Sequence, residues 1–242
     1  MGLYDRNYTN DTSSIDATTE YAAAQDSALV KFVKLTYIFF GASLFFAFVG
    51  AVIGFYNLQL VYENRMILFV AEIAALFGLM FSRSKPGLNI AMLFIFTTLT
   101  GLVATPLVAM VAVKAGAGAV VMAFAMTTII FGVMSIFGII TRKDLASMGK
   151  MLFIALIVVI ACSLVNLLLA HFYPDFLRGF SIFQVLISSA TAILFSIYVA
   201  YDTQNIIRGL YTSPVDAAIS LYLDFYNIFM SLLSLIGLSS KD

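Results

Sequence analysis

Two aspartates stand inside apolar stretches near the C-terminal end of this sequence. The first ends the run Ser196-Ile-Tyr-Val-Ala-Tyr-Asp202, and the second, Asp224, lies in the run Ile219-Ser-Leu-Tyr-Leu-Asp-Phe-Tyr-Asn-Ile-Phe. A carboxyl group in so apolar a run is costly to expose to lipid, so we expect both groups to face protein or water. Two carboxyl groups that meet in such surroundings can share a proton or bind a cation.

The composition is that of a polytopic membrane protein. The 242 residues are 62% hydrophobic and 11% charged, whereas a soluble domain has about 25% charged residues. The formal net charge is zero, so no overall positive field favours binding to nucleic acid.

Seven apolar runs predict an all-α fold with seven transmembrane helices. About 20 apolar residues suffice to cross the hydrocarbon core of a bilayer. The predicted spans are residues 32–56, 66–82, 88–112, 117–140, 150–172, 180–201 and 216–238. Residues 1–30 are predicted to be a mobile, acidic N-terminal tail, and residues 31–242 the transmembrane domain.

The basic residues predict the orientation in the membrane. Lys and Arg in short loops are retained on the cytoplasmic side. Of the thirteen basic residues, nine lie in the tail, at the adjoining helix ends and in the second, fourth and sixth connections, and four lie on the other side. We therefore expect a cytoplasmic N-terminus and an external C-terminus.

The last predicted helix carries a polar face. Residues at spacings of three and four share one side of a helix. The residues on this face are Ser220, Asp224, Asn227, Ser231 and Ser234. A helix in contact with lipid would not keep such a face, so we expect this helix to be central and Ser220, Asn227 and Ser231 to line a pathway.

Topology predicts four ionisable groups along that pathway. Asp202 ends the sixth helix on the inner side, and Asp224 lies about 12 Å along the returning helix. Arg83 ends the second helix on the same side, and Glu72 lies about 16 Å deeper on the same helix face. This arrangement suggests a route for cations. The alternatives are that Arg83 is an interfacial anchor, that Asp202 is solvated beyond its helix, and that Asp224 is purely structural.

With these motifs in view, the chain resembles the Bax-inhibitor family of membrane proteins, in particular its bacterial branch. The resemblance covers residues 30–238. It is most specific in the two aspartate motifs, and the stretch from Glu72 to Arg83 is similar to the second helix of the family.

The resemblance implies a seven-helix fold in which the seventh helix is surrounded by the other six. It also implies a calcium leak across a bacterial cytoplasmic (inner) membrane, controlled by pH through a pair of aspartates that map onto Asp202 and Asp224. Arg83 would be the switch partner of this pair. Calcium would be the transported ion, and no cofactor is expected.

These expectations have a physical mechanism. Two adjacent carboxyl groups cannot both ionise easily, so we expect Asp202 and Asp224 to share a proton and titrate as a unit. Arg83 would favour their charged form and latch the second helix inward. Because Ca²⁺ requires about six to eight oxygen ligands, two aspartates with water and serine hydroxyls would form only a weak calcium site.

Two other functions fit parts of the pattern. An intramembrane aspartyl protease also takes its dyad from consecutive helices, and Tyr201-Asp202 agrees with its first motif. Its second motif is Gly-x-Gly-Asp, whereas this chain has Leu221-Tyr-Leu-Asp224, so we expect no enzymatic activity. The second alternative is a regulator that transports nothing and binds another membrane protein through its helices.

Overall fold

A computed structural model describes residues 5–172 and 181–239 of the chain. Side chains are described from residue 24 onward, except at residues 167, 170, 171 and 181. Two of the basic residues used to predict the orientation, Arg178 and Lys241, lie outside the described residues.

The described part of the chain is 91% helical and contains no strand, which confirms the predicted all-α class. Its α-helices are α1 (Asp5–Tyr56), α2 (Leu58–Glu63), α3 (Arg65–Phe81), α4 (Leu88–Ala115), α5 (Ala117–Ile140), α6 (Gly149–Phe172), α7 (Ser181–Ile207) and α8 (Pro214–Ser239). A short 3₁₀ helix, Leu145–Met148, precedes α6.

Six segments of the described chain are long and apolar enough to cross a membrane. They are Ala24–Tyr56, Leu88–Ala115, Ala117–Ile140, Leu145–Asn166, Ile182–Ile207 and Pro214–Ser239. The protein is therefore a multi-pass membrane protein, as predicted from composition.

The predicted second span, residues 66–82, corresponds to α3, which is not among these six. This helix has 17 residues, or about 26 Å at 1.5 Å per residue. The chain is interrupted just before it at Asn64, whose side-chain amide donates to the carbonyl of Leu60 at 2.9 Å and so ends α2. The count of seven spans stays a prediction.

The polar N-terminal residues from Asp5 onward belong to the same helix as the first apolar run. The sequence from residue 5 to residue 40 contains no proline or glycine, so no residue there strongly opposes helix continuation. The division of the chain at residue 30 stays a prediction.

Helix α8 packs against α1, α4, α5 and α7. From Pro214 to Leu238 every residue is at least partly buried. Phe225 of α8 contacts the rings of Phe40 of α1 and Phe131 of α5, with ring centroids 6.1 and 5.7 Å apart. This packing positions the polar residues of α8 inside the protein.

Helices α1 and α4 approach each other through glycines. A Cβ atom on Gly101 would collide with the carbonyl oxygen of Ala47, and one on Gly50 would collide with that of Thr98. Small residues let membrane helices pack closely, so these two positions set the distance between α1 and α4.

We expect Gly101→Ala to lower the free energy of unfolding by about 1–3 kcal/mol, because the added methyl group meets rigid backbone. Thermal unfolding of the purified protein in detergent measures the change. Gly132→Ala is the matched control, since a Cβ atom there meets no atom within 4 Å and alanine stabilises a helix by up to about 1 kcal/mol relative to glycine. Equal destabilisation by both substitutions would contradict the prediction.

Candidate functional site

The turn between α7 and α8 brings the two aspartates together. Gly209 has φ +67°, and the amides of Gly209 and Leu210 donate to the carbonyls of Ile206 and Asn205 at 3.1 and 2.9 Å. This pair of bonds is a Schellman ending, in which the left-handed residue is usually glycine. The chain can therefore reverse within six residues of the end of α7.

The start of α8 is set by its own capping residues. The hydroxyl of Ser213 accepts a hydrogen bond from the amide of Val215 at 3.2 Å. Pro214 then occupies the first helical position, where its missing N–H group costs nothing. Asp216 follows in the first turn, where the helix dipole favours negative charge.

Asp202 and Asp224 are both buried, with 6% and 2% of their surfaces exposed. Their carboxyl groups lie within hydrogen-bonding reach of each other between α7 and α8. Carboxylates are only acceptors, so a hydrogen bond between the two groups requires one proton. Oδ2 of Asp224 has no hydrogen-bond partner among the described residues, which leaves an acceptor free in the site.

Tyr211, in the turn between α7 and α8, covers this pair. Its hydroxyl lies beside the carboxyl group of Asp202 and the hydroxyl of Ser220. Burial raises the pKa of Tyr211 well above its ordinary value, so the phenol remains a donor. Sequence analysis did not identify Tyr211, although a tyrosine in the short turn between two aspartate-bearing helices was a visible signal.

The polar residues of α8 differ in their hydrogen bonds and in their burial. The hydroxyl of Ser220 donates to the carbonyl of Asp216 at 3.2 Å, and the amide of Asn227 donates to the carbonyl of Leu223 at 2.7 Å. Such bonds to the preceding turn satisfy polar side chains within their own helix. Ser231 is buried with 6% exposure. Their role as pathway residues stays a prediction.

Glu72 lies in a separate group of hydroxyl-bearing residues. Its carboxyl group is close enough to Tyr222 and Tyr226 of α8 to interact with both electrostatically. The Tyr222 hydroxyl bonds that of Thr100 on α4, and the Tyr226 hydroxyl donates to the Thr100 carbonyl at 3.3 Å. Sequence analysis named Glu72 but did not single out Tyr222, Tyr226 or Thr100.

Arg83 lies just beyond the C-terminal end of α3. Its Nε atom is 3.2 Å from Oδ1 of Asp216, and the two side chains are 55% and 12% exposed. The described residues include no ion pair between Arg83 and Asp202 or Asp224. The structure therefore brings Arg83 to Asp216, a residue that sequence analysis did not single out, and not to the carboxyl pair.

The loop between α5 and α6 is fastened beside the site by Gln204 of α7. This buried side chain accepts from the amide of Leu145 at 2.8 Å and donates to the carbonyl of Lys143 at 3.0 Å. An ion pair between Arg208 and Asp144 adds a second connection. The hydrogen bond from Arg208, helped by the amide of Ala146, holds the pKa of Asp144 below its ordinary value.

Residues 29–241 match the family model described as inhibitor of apoptosis-promoting Bax1. The match covers most of the chain, including the two aspartate motifs, and confirms the resemblance. The chain belongs to the Bax inhibitor family.

Several bacterial proteins are similar to this Bax inhibitor family member. An uncharacterized protein of Helicobacter pylori is 55% identical over 240 residues, which are 99% of this chain and 98% of that protein. The modulator of FtsH protease YccA of Escherichia coli is 35% identical over 178 residues, or 72% and 76% of the two chains. The inner membrane protein YbhL of Escherichia coli is 30% identical over 188 residues, or 74% and 78%.

For this family member we expect Gln204→Met to lower the free energy of unfolding by about 1–3 kcal/mol, because the amide of Leu145 and the carbonyl of Lys143 lose their partner. Thermal unfolding in detergent measures the change. Gln59→Met is the matched control, since the hydrogen bond from Gln59 to Glu63 is exposed and water replaces it. An equal effect of the two substitutions would contradict the structural role of Gln204.

Proposed function

We propose that this protein is a pH-sensitive calcium leak pathway of the inner membrane, controlled by protonation of Asp202 and Asp224. One observation carries the proposal: the two carboxyl groups are buried and lie within hydrogen-bonding reach of each other between two membrane-spanning helices. Ionisable groups inside the membrane usually serve the passage of ions or protons.

The shared proton is the proposed control element. While it is present, the carboxyl groups attract each other and hold α7 and α8 together at this level. Once it leaves, two negative charges face each other at hydrogen-bonding distance, which is strongly unfavourable in buried surroundings. The charge can be relieved by separation of the helices or by a cation, so proton loss and cation entry are linked.

The same groups would form a weak calcium site. Each ionised carboxylate offers two oxygens, and Oδ2 of Asp224 already lacks a partner among the described residues. The hydroxyl of Tyr211 lies beside Asp202, and the hydroxyl of Ser220 lies beside Tyr211. Because Ca²⁺ prefers about six to eight oxygens, water must complete the shell. Such a site releases its ion readily, as conduction requires.

In the proposed arrangement α8 is the central helix of seven spans, and α2 and α3 together form the second span. The burial of α8 along its length and its packing against four helices support this arrangement. The N-terminus is cytoplasmic and the C-terminus external, as the distribution of basic residues favours. Glu72, Ser220, Asn227 and Ser231 would line the route.

A second candidate function is regulation of another membrane protein without transport. It is favoured by the similarity to YccA, whose name describes a modulator of the FtsH protease. Under this function, liposomes containing the purified protein pass no calcium, and the protein instead changes the rate at which a membrane-bound protease degrades its substrates. Assaying both activities in the same proteoliposomes separates the two functions.

We expect Asp202→Asn and Asp224→Asn each to flatten the pH dependence of calcium flux into proteoliposomes, because an amide cannot take part in the shared titration. The measurement compares the calcium flux at about pH 5 with the calcium flux at about pH 8. The ratio of these two fluxes should approach one in both variants. A full pH response in both variants would refute the proposed role of the pair.

Asp144→Asn is the matched control for this flux experiment. Because the folded-state pKa of Asp144 is lowered, its contribution to stability is complete above the unfolded value of about 3.9 and is lost only as the pH falls through the lower folded-state pKa. The contact with Arg208 is therefore constant across the assay, and the pH response of Asp144→Asn should equal that of the wild type.

We expect Arg83→Ala to raise calcium leak at neutral pH. The substitution removes the charge that ties the inner end of α3 to α8, so the inner side of the route opens more often. Arg208→Ala breaks the ion pair between Arg208 and Asp144 and serves as the control. Equal flux in the wild type and the Arg83→Ala variant would exclude Arg83 as a gate.

A further inference from the structure

Helix α3 is attached to the rest of the protein mainly through one neighbour. Across the described residues it packs against α4, and it adjoins the short helix α2 that precedes it. Helix α8, in contrast, packs against four helices. The attachment of α3 to α8 therefore depends on individual side chains.

The ion pair between Arg83 and Asp216 is such an attachment. Arg83 follows the last turn of α3, and Asp216 lies in the first turn of α8. The Asp216 side chain is only 12% exposed, whereas that of Arg83 is 55% exposed. A fully exposed pair would contribute little, but the burial of Asp216 means that loss of its partner leaves a poorly solvated charge.

Ser220 and Tyr211 lie between this ion pair and the Asp202 and Asp224 site. The hydroxyl of Ser220 donates to the backbone carbonyl of Asp216, and the hydroxyl of Tyr211 lies beside both Ser220 and the carboxyl group of Asp202. On α8, residues 216, 220 and 224 follow each other at intervals of four and so lie on one side of the helix. Asp216 is thus the acidic residue of α8 nearest its inner end, two turns before Asp224.

We infer that Asp216 is the residue that holds Arg83, and with it the inner end of α3, against α8 across the inner approach to the carboxyl pair. Asp216 is a positioning residue, because it acts through Arg83 and does not touch the pair. Its effect on ion passage rests on the proposed function, whereas its effect on the position of α3 does not.

A thiol at position 82 reports this contact without any measurement of transport. Ser82 is 3% exposed and adjoins Arg83, so a cysteine there reports any movement that exposes the C-terminal end of α3. The free cysteine of the chain, Cys162, is partly exposed and is replaced by alanine. The parent variant is therefore Cys162→Ala with Ser82→Cys, and the rate of modification by a maleimide is measured in proteoliposomes.

In this parent, Asp216→Asn is expected to raise the modification rate by about three- to tenfold, the range for loss of a partly buried ion pair. Asp216→Glu keeps the charge and should stay near the parent rate. The double variant Arg83→Asp with Asp216→Arg restores an opposite-charge pair and should return the rate toward that of the parent. Asp144→Asn breaks the ion pair between Asp144 and Arg208. It is the matched control and should leave the modification rate unchanged.

The two readouts distinguish the inference from the proposed function. The role of Asp216 is overturned if Asp216→Asn is modified at the parent rate. It is also overturned if the charge-exchange variant is as reactive as Asp216→Asn. Calcium flux is measured on the same variants without the reporter thiol. If the thiol responds as expected while no variant changes calcium flux, the role of Asp216 in holding Arg83 is supported and the calcium leak function is refuted.

Discussion

The constraint on which this structure depends is that a carboxyl group inside a membrane must find its partners within the protein. Lipid offers no hydrogen bonds, so an unpaired polar group in the hydrocarbon region is expensive. Asp202 and Asp224 lie beside each other, which requires that α7 and α8 meet face to face. The short turn at Gly209 allows the two helices to do so.

The polar contacts around the carboxyl pair connect different elements of the structure. Tyr211 connects Asp202 to Ser220, while Gln204 connects the end of α7 to the loop before α6. Elsewhere, hydroxyl and amide groups such as those of Thr127 and Asn227 bond the carbonyl of the preceding turn. The polar side chains near the carboxyl pair therefore link different elements, whereas many of the others are satisfied within one helix.

Helix α3 is held mainly by one neighbouring helix. It is short, it is separated from α2 by the break at Asn64, and it packs mainly against α4. Its C-terminal end is connected to α8 by the ion pair between Arg83 and Asp216, and Glu72 in its middle lies near the tyrosines of α8. Among the described residues, the attachment of α3 thus rests largely on α4 and on this ion pair.

The sequence by itself determined the class of the protein, the approximate positions of its apolar helices and the apolar setting of Asp202 and Asp224, because run length and residue spacing report directly on membrane helices. The reach of α1 to Asp5 and the break before α3 depend on local backbone preferences that hydropathy does not measure. Only the tertiary structure decided that Arg83 pairs with Asp216, that Tyr211 covers Asp202 and that Glu72 faces Tyr222. These contacts join residues far apart in the chain or across a turn, and their partners are set by how α3, α4, α7 and α8 pack, which no periodicity within a single segment encodes.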